Sequence, residues 1–438
     1  MPRVRTLARV LFAVLLACPA AAQTQEERIA ALEREIARLR AMLETSRQEA
    51  SRGDARFAEQ ERRIEALAAE IERVHLGEAV AAADRAERGL GPAASKVYRA
   101  ARGVSIGGYG EAIYTDFEGD ASRLDFLRAV LYAGHRFDES WVFNSEIEFE
   151  HASTGEGGEV SVEFAYLDYL ARPEANLRAG LLLLPMGLVN ELHEPTTFLS
   201  AERPEVERQI LPTTWRENGV GIHGESGLLS YRAYLVNGFD AAEFTASGLR
   251  GGRQQGSEAL AEDFAGVGRL DAEVLPGLLV GGSVYHGEAG QELPFDVPVT
   301  IFEGHVDARW RGLQARALAT QADLDDVDDL NAALALTGDD SVGERMRGGY
   351  VEAGFDVLTL LPEARSSLVP FVRWETLDTQ EKVPSGFARD PANDRDFWTL
   401  GVAFLPIDTI VFKADWQWIR DRADDRLDEF HVAMGFVF

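Results

Sequence analysis

The chain has 438 residues, 46% of them hydrophobic, and a formal net charge of −29. So acidic a surface argues against nucleic acid as a partner. Its single cysteine, Cys18, rules out a disulfide framework and cysteine-ligated metals.

Arg3, Arg5 and Arg9 precede the apolar run Val10 to Ala17, and Ala20, Ala21 and Ala22 follow. This pattern predicts an export signal over residues 1–22, with Gln23 starting the mature chain. The alternative is a lipoprotein signal ending at Cys18, which Leu16 and Pro19 fit poorly. Beyond the signal no apolar run is long enough for a membrane helix. Strands are not excluded, because they hide apolar residues at every second position.

Residues 29 to 74 keep a seven-residue register, with Ile29, Ile36, Leu43, Ala50, Phe57, Ile64 and Ile71 at a. Leu32, Leu39, Ser46, Gly53, Gln60, Leu67 and Val74 take d. Glu and Arg surround this seam, which predicts a periplasmic coiled coil over residues 23–75, weak in the middle where Ser46, Ala50, Gly53 and Gln60 lie. A single amphipathic helix, or a hairpin bent at Gly53, is the alternative. Residues 76–102 lose the heptad, gain Gly89, Gly91 and Pro92, and read as a linker. The signal carries +3 and residues 24–102 balance, so −32 falls on the remainder.

From Val104 the period is two. In Trp141 to Glu150, Trp141, Phe143, Ile147 and Phe149 oppose Asn144, Glu146, Glu148 and Glu150. Phe302 to Trp310, Ile410 to Trp418 and the terminal Phe430 to Phe438 alternate in the same way. Short turns are read at 138–139, 172–175, 226–227, 275–277, 311–312, 360–366 and 406–407. Longer polar loops lie near 118 and 152, over 185–217, 239–262, 288–298, 323–345 and 377–396, and near 421. Seven turns alternating with eight loops predict an all-β fold over residues 103–438: a transmembrane antiparallel β-barrel of about sixteen strands in the outer membrane. The C-terminal Phe438 resembles the signature read by the barrel-assembly machinery.

Alternation places Arg128, Glu146, Glu148, Glu150, Arg232, Glu303, His305, Asp307, Arg309, Arg373, Lys413 and Asp415 on the wet inner face, as pore-lining residues. The loop from Leu188 to Glu217, with Pro195, Pro204 and Pro212, is too long for a hairpin turn and is expected to fold into the lumen. Glu191, Glu202, Arg203, Glu205, Glu207, Arg208 and Arg216 would form the constriction, the arginines facing acidic walls such as Glu146 and Glu148. The overall charge predicts weak cation preference.

Leu184-Pro185-Met186-Gly187, His193-Glu194-Pro195, Arg203-Pro204-Glu205-Val206-Glu207-Arg208 and Leu211-Pro212-Thr213-Thr214-Trp215-Arg216-Glu217-Asn218-Gly219-Val220-Gly221 resemble the phosphate-selective porin O and P family. In that comparison the strand feeding the loop is Gly180 to Gly187. The resemblance implies sixteen-stranded trimers whose loops narrow the pore. Phosphate selection needs cations, yet residues 188–217 hold three Arg and no Lys against six Glu, and only Lys96, Lys382 and Lys413 occur in the chain.

His135, His151, His193, His223, His286, His305 and His431 are scattered singly, and no Gly-x-Ser-x-Gly elbow occurs, so no enzyme and no cofactor is expected. Asp323, Asp325, Asp326, Asp328, Asp329, Asp339 and Asp340 lack the spacing of a calcium loop and read as a solvated acidic loop, bridging to lipopolysaccharide through divalent ions, rather than a metal site. The expected function is passive diffusion of small hydrophilic solutes or ions. An anion- or phosphate-selective channel, or a tether between outer membrane and cell wall, is the alternative. Expected partners are two further copies of the chain, outer-membrane lipid and lipopolysaccharide, the assembly machinery and peptidoglycan.

Overall fold

The computed structural model describes residues 25–49, 62–65, 86–100, 102–153, 157–361 and 364–438. The expected signal, heptad residues 50–61 and 66–75, and residues 76–85 lie outside these. The chain divides into two units, Met1–Glu78 and Ala79–Phe438.

In the first unit a helix, α1, spans Gln25–Glu49. Good helix formers dominate it, and no Gly or Pro interrupts it. Over residues 29–42 the heptad positions Ile29, Leu32, Ile36 and Leu39 are its less exposed side chains.

The second unit is a closed barrel of sixteen antiparallel strands, each hydrogen-bonded to its sequence neighbours, with the last paired to the first. They are β1 (Gly103–Phe117), β2 (Arg123–Arg136), β3 (Trp141–Glu150), β4 (Val160–Arg172), β5 (Ala175–Leu183), β6 (Arg216–Ser226), β7 (Leu229–Asn237) and β8 (Phe264–Leu275). Then follow β9 (Leu278–Glu288), β10 (Pro298–Trp310), β11 (Leu313–Leu324), β12 (Arg345–Phe355), β13 (Ser367–Lys382), β14 (Asp394–Ile407), β15 (Ile410–Asp421) and β16 (Arg426–Val437). Closure satisfies every edge, as hydrocarbon demands of a backbone that cannot bond water. Its seam is locked by Gly108 and Phe438, which exchange N–H···O bonds of 3.0 and 2.9 Å.

Seven turns and eight loops join the strands in the expected order, but the expected turn 406–407 falls inside β14 and the loop expected over 377–396 is cut to 383–393 by β13 and β14. Other boundaries differ too. The turn after β14 is Asp408-Thr409, and β5 ends at Leu183 rather than running to Gly187. Pro185 lacks the N–H to continue a ladder. Gly187 holds φ +72°, and a Cβ there would run into the Glu207 carboxylate, so chain and side chain share that corner.

The outer face is apolar. Trp141, Tyr169, Trp310, Phe355 and Phe438 are exposed near the turn end, and Phe149, Phe264, Phe302, Trp398 and Trp416 near the loop end. Two aromatic belts around an aliphatic band are the pattern of a lipid-embedded barrel. Among the described residues no helix is long and apolar enough to cross a membrane.

Residues 86–100, the described part of the expected linker, pack inside the barrel near its turn end. They include a short 3-10 turn, Lys96–Tyr98. Tyr98 Oη donates to Asp168 on β4 (2.6 Å) and accepts from Arg178 on β5 (3.1 Å). Asn144 on β3 donates to the Ala94 carbonyl (2.9 Å), and Arg136 on β2 to the Tyr98 carbonyl (2.7 Å). Small residues let this backbone sit against the wall: Ala93 and Ala94 are almost fully buried.

Candidate functional site: the lumen constriction

The third loop, L3 (184–215), enters the lumen and touches the wall on several sides. Leu184, Met186, Val206, Ile210, Leu211 and Trp215 are fully buried and anchor it by apolar packing. Asn190 folds the loop back on itself, donating to the Leu184 and Trp215 carbonyls and accepting from the Trp215 N–H.

Polar contacts then fix its position. A one-turn helix, α2 (Glu205–Gln209), presents Glu207, whose Oε2 accepts from the N–H groups of Leu188 and Val189 at 2.8 Å each. Tyr350 on β12 donates to Glu207 Oε1 at 2.7 Å, and the Val206 N–H donates to Glu375 on β13 at 2.5 Å. Across the lumen Lys413 on β15 donates to the Ser200 carbonyl (2.9 Å) and lies 3.6 Å over the Phe198 ring, while Asp415 accepts from the Ala201 N–H (2.6 Å). Arg373 on β13 donates to Ser200 Oγ, and Arg269 on β8 to the Gly187 carbonyl. Glu191 pairs with Arg232 on β7 at 3.3 Å, and His193 faces Glu146 on β3 at 3.1 Å. Buried charges are costly unless paired, so these contacts specify one loop position rather than merely tolerate it.

The sequence-assigned inner-face residues do face inward, but at the level of L3 they are not open to water. Glu146 is 0% exposed, Arg373 1%, Lys413 2% and Asp415 3%. L3 covers them, and they pair with one another. Arg128 meets Glu148 at 3.0 Å and Glu111 at 3.5 Å. His305 bridges Glu303 (2.7 Å) and Asp271 (3.0 Å). Asp307 meets Arg316 (2.9 Å) and the largely exposed Arg309 (3.5 Å). Arg373 lies 3.6 Å from both Glu352 and Glu375. Glu150 and Glu202 remain half-buried.

The loop arginines meet the acidic wall only in part, Arg203 and Arg216 through their charges on Glu146 and Glu163. Arg208 pairs with Glu205 one helical turn back (2.5 Å), and Arg203 donates to Thr214 Oγ1 (3.2 Å). Arg216 does meet an acidic wall residue, but it is Glu163 on β4, at 3.2 Å. Glu163 escapes a reading by alternation because a β-bulge sits there: Glu146 pairs with Phe164 and Ile147 with Val162, which turns Glu163 inward beside Phe164.

Two further cations come from the fourth loop, L4 (238–263). Arg253 donates to the Pro212 and Thr214 carbonyls (3.2 and 2.6 Å), and Arg250 to the Thr213 carbonyl. With Arg203, Arg208 and Arg216 they crowd five guanidiniums around residues 212–216. Among the described residues Arg203, Arg250 and Arg253 have no carboxylate within ion-pair distance. Burial and the neighbouring guanidiniums push Arg250 down to about 9 and Arg253 down to about 10. No short motif marks L4, so only the tertiary contact brings this cluster together.

A closed sixteen-stranded barrel with an apolar belt outside, charged pairs inside and an inward third loop defines an outer-membrane barrel of porin type. No protein-family model matches the chain. It is 39% identical over 369 residues to an uncharacterized protein of Aquifex aeolicus, spanning 80% of this chain and 83% of that one, and it belongs to the same family. Among solved structures, Salmonella typhi OmpF in complex with daunomycin aligns over 77% of this chain and 98% of its own, at 10% identity and TM-score 0.52. The Acinetobacter baumannii outer-membrane channel DcaP aligns over 76% and 97%, at 11% identity and TM-score 0.49.

Proposed function

We propose that the protein is a passive outer-membrane channel for small hydrophilic solutes or ions, with L3 as its constriction and the turn end facing the periplasm. The observation that carries this is the fixed crossing of a closed barrel by one loop, clamped to β3, β7, β12, β13 and β15 by buried polar contacts. A clamped loop sets an aperture, whereas a loop with no lumen contacts would not. Planar-bilayer recordings test it. The purified chain should form small channels, and deleting residues 190–207 should raise single-channel conductance several-fold. Unchanged conductance after the deletion would move the constriction elsewhere.

The arginine cluster supports a second reading, anion selectivity, which the resemblance to phosphate-selective porins also implies. Three guanidiniums with no carboxylate in ion-pair contact, held around one loop, attract an anion more strongly than paired ones, although Glu163, Glu205 and Glu217 act on them at longer range. The deeper wall argues the other way, because its arginines are already neutralised by Glu and Asp. Reversal potentials in a KCl gradient decide between them. If anions are preferred, replacing Arg203, Arg250 and Arg253 with Gln should shift the potential towards cations and abolish phosphate block.

A further inference from the structure

His193, Glu146 and Glu163 meet in a geometry that a conducting constriction does not require. One ligand atom from each lies within 4.8 Å of the others. His193 Nε2 is 3.1 Å from Glu146 Oε1 and 3.5 Å from Glu163 Oε2. A metal ion about 2.1 Å from each donor sets neighbouring donors about 3.4 Å apart at the tetrahedral angle and about 3.0 Å apart at a right angle. The two observed edges match that span.

Two further observations point to a ligand. Glu146 and Glu163 are 0% and 2% exposed, yet Glu146 Oε2 and Glu163 Oε2 have no hydrogen-bond partner. A buried carboxylate oxygen left without a donor is costly, and a cation is what it lacks. The histidine is also oriented for ligation. His193 Nδ1 lies 2.8 Å from the Asn190 carbonyl, which can only accept, so Nδ1 carries a proton and the ring is held with Nε2 towards both carboxylates, where a bound cation would take the place of the Nε2 proton. Metal-binding histidines are held in this way, by an N–H spent on a backbone carbonyl. His305 and His431 differ, because each divides its two ring nitrogens between carboxylates and leaves none on the backbone. Among the described residues no other set of His, Cys, Asp and Glu converges like this one.

We propose that Glu146, Glu163 and His193 bind one divalent transition-metal cation of the zinc class. Mixed imidazole and carboxylate donors suit such ions, whereas calcium and magnesium prefer oxygen alone. Two carboxylates cancel the charge of the ion, and Arg216 holds the other oxygen of Glu163 as an outer partner. Glu146 and Glu163 belong to the wall and His193 to L3, so the ion staples the loop to β3 and β4.

The test uses the untagged full-length chain in detergent, stripped with a chelator and titrated with ZnCl₂ by calorimetry and with CoCl₂ by visible absorption. One equivalent per chain and cobalt d–d bands are expected. Losing an outer-shell partner costs ~10–100-fold in affinity, and losing a ligand costs at least as much, so E163Q and H193Q should each weaken zinc binding roughly 100-fold or more. Both variants should keep the heat-modifiable mobility of the folded barrel, and H305Q should bind zinc as the wild type does. Two results overturn the proposal: folded wild type that takes up neither metal, or folded E163Q and H193Q that bind like wild type. None of these readouts depends on conduction.

Discussion

Glu207 and Glu205 sit two residues apart on the same helical turn and do different work. Glu207 is fully buried and bonded on both oxygens, so its carboxylate is a fastener for L3. Glu205 is half-buried and paired only within α2, to Arg208 and Gln209, so its charge reaches the lumen field. Hydrogen bonds to a charged group contribute ~1.5–3 kcal/mol each, and Glu207 accepts several. E207A should therefore free L3, raising conductance and speeding protease cleavage between residues 188 and 207. E205K should leave the loop seated and shift the reversal potential towards anions by a few millivolts. Equal behaviour of the two variants, in both protease sensitivity and selectivity, would show that burial does not separate their roles.

Among the elements, the strands were the most readable in the sequence and the lumen fillings the least. Period-two alternation gave the strands because each must show lipid one face and the lumen the other. Glu146, Glu148, Lys413 and Asp415 were found inward by that rule alone. Glu163 was missed because its bulge breaks the period, and Arg250 and Arg253 because their role arises from contact between two distant loops. The inner segment 86–100 has no apolar period at all. Side-chain hydrogen bonds from β2 to β5 hold it, so only the closed barrel reveals its place. Tyr98 is one polar anchor, and the Glu194 carboxylate of L3, which accepts from the Ala93 and Ala94 N–H groups, is another. Y98F removes the hydroxyl shared by Asp168 and Arg178, at a cost of ~1–3 kcal/mol, while that ion pair survives at 2.8 Å. Faster amide exchange over residues 90–98, with strand amides unchanged, is the expected result. If protection at those amides is unaltered, the Glu194 bonds and apolar packing of Leu90, Val97 and the alanines hold the segment instead.

At the scale of the whole molecule the open matter is how protomers associate. The barrel closes on itself, so no strand edge is left for pairing and association falls to other surfaces, such as the outer wall or the α1 unit. In α1, Ile29 and Ile36 recur with Leu32 and Leu39 at heptad spacing, and all four are less exposed than the charged positions between them. Such a seam is too narrow to stabilise a lone helix, and we propose that it pairs with the helices of other copies. Ile at a with Leu at d leans towards two strands, whereas the resemblance to phosphate-selective porins implies three. The helices and the barrel wall are separate contributions, so removing one should expose the other. Deleting residues 24–75 should lower the temperature at which the oligomer dissociates in mild detergent, while the barrel keeps its own heat-modifiable shift. Crosslinking at a positions 29 and 36 with cysteine pairs should give a ladder that stops at the true copy number. A ladder ending at three supports a trimeric clasp, and one ending at two a dimer. An oligomer unchanged by the deletion would place the whole association on the barrel wall and leave α1 free to reach the cell wall.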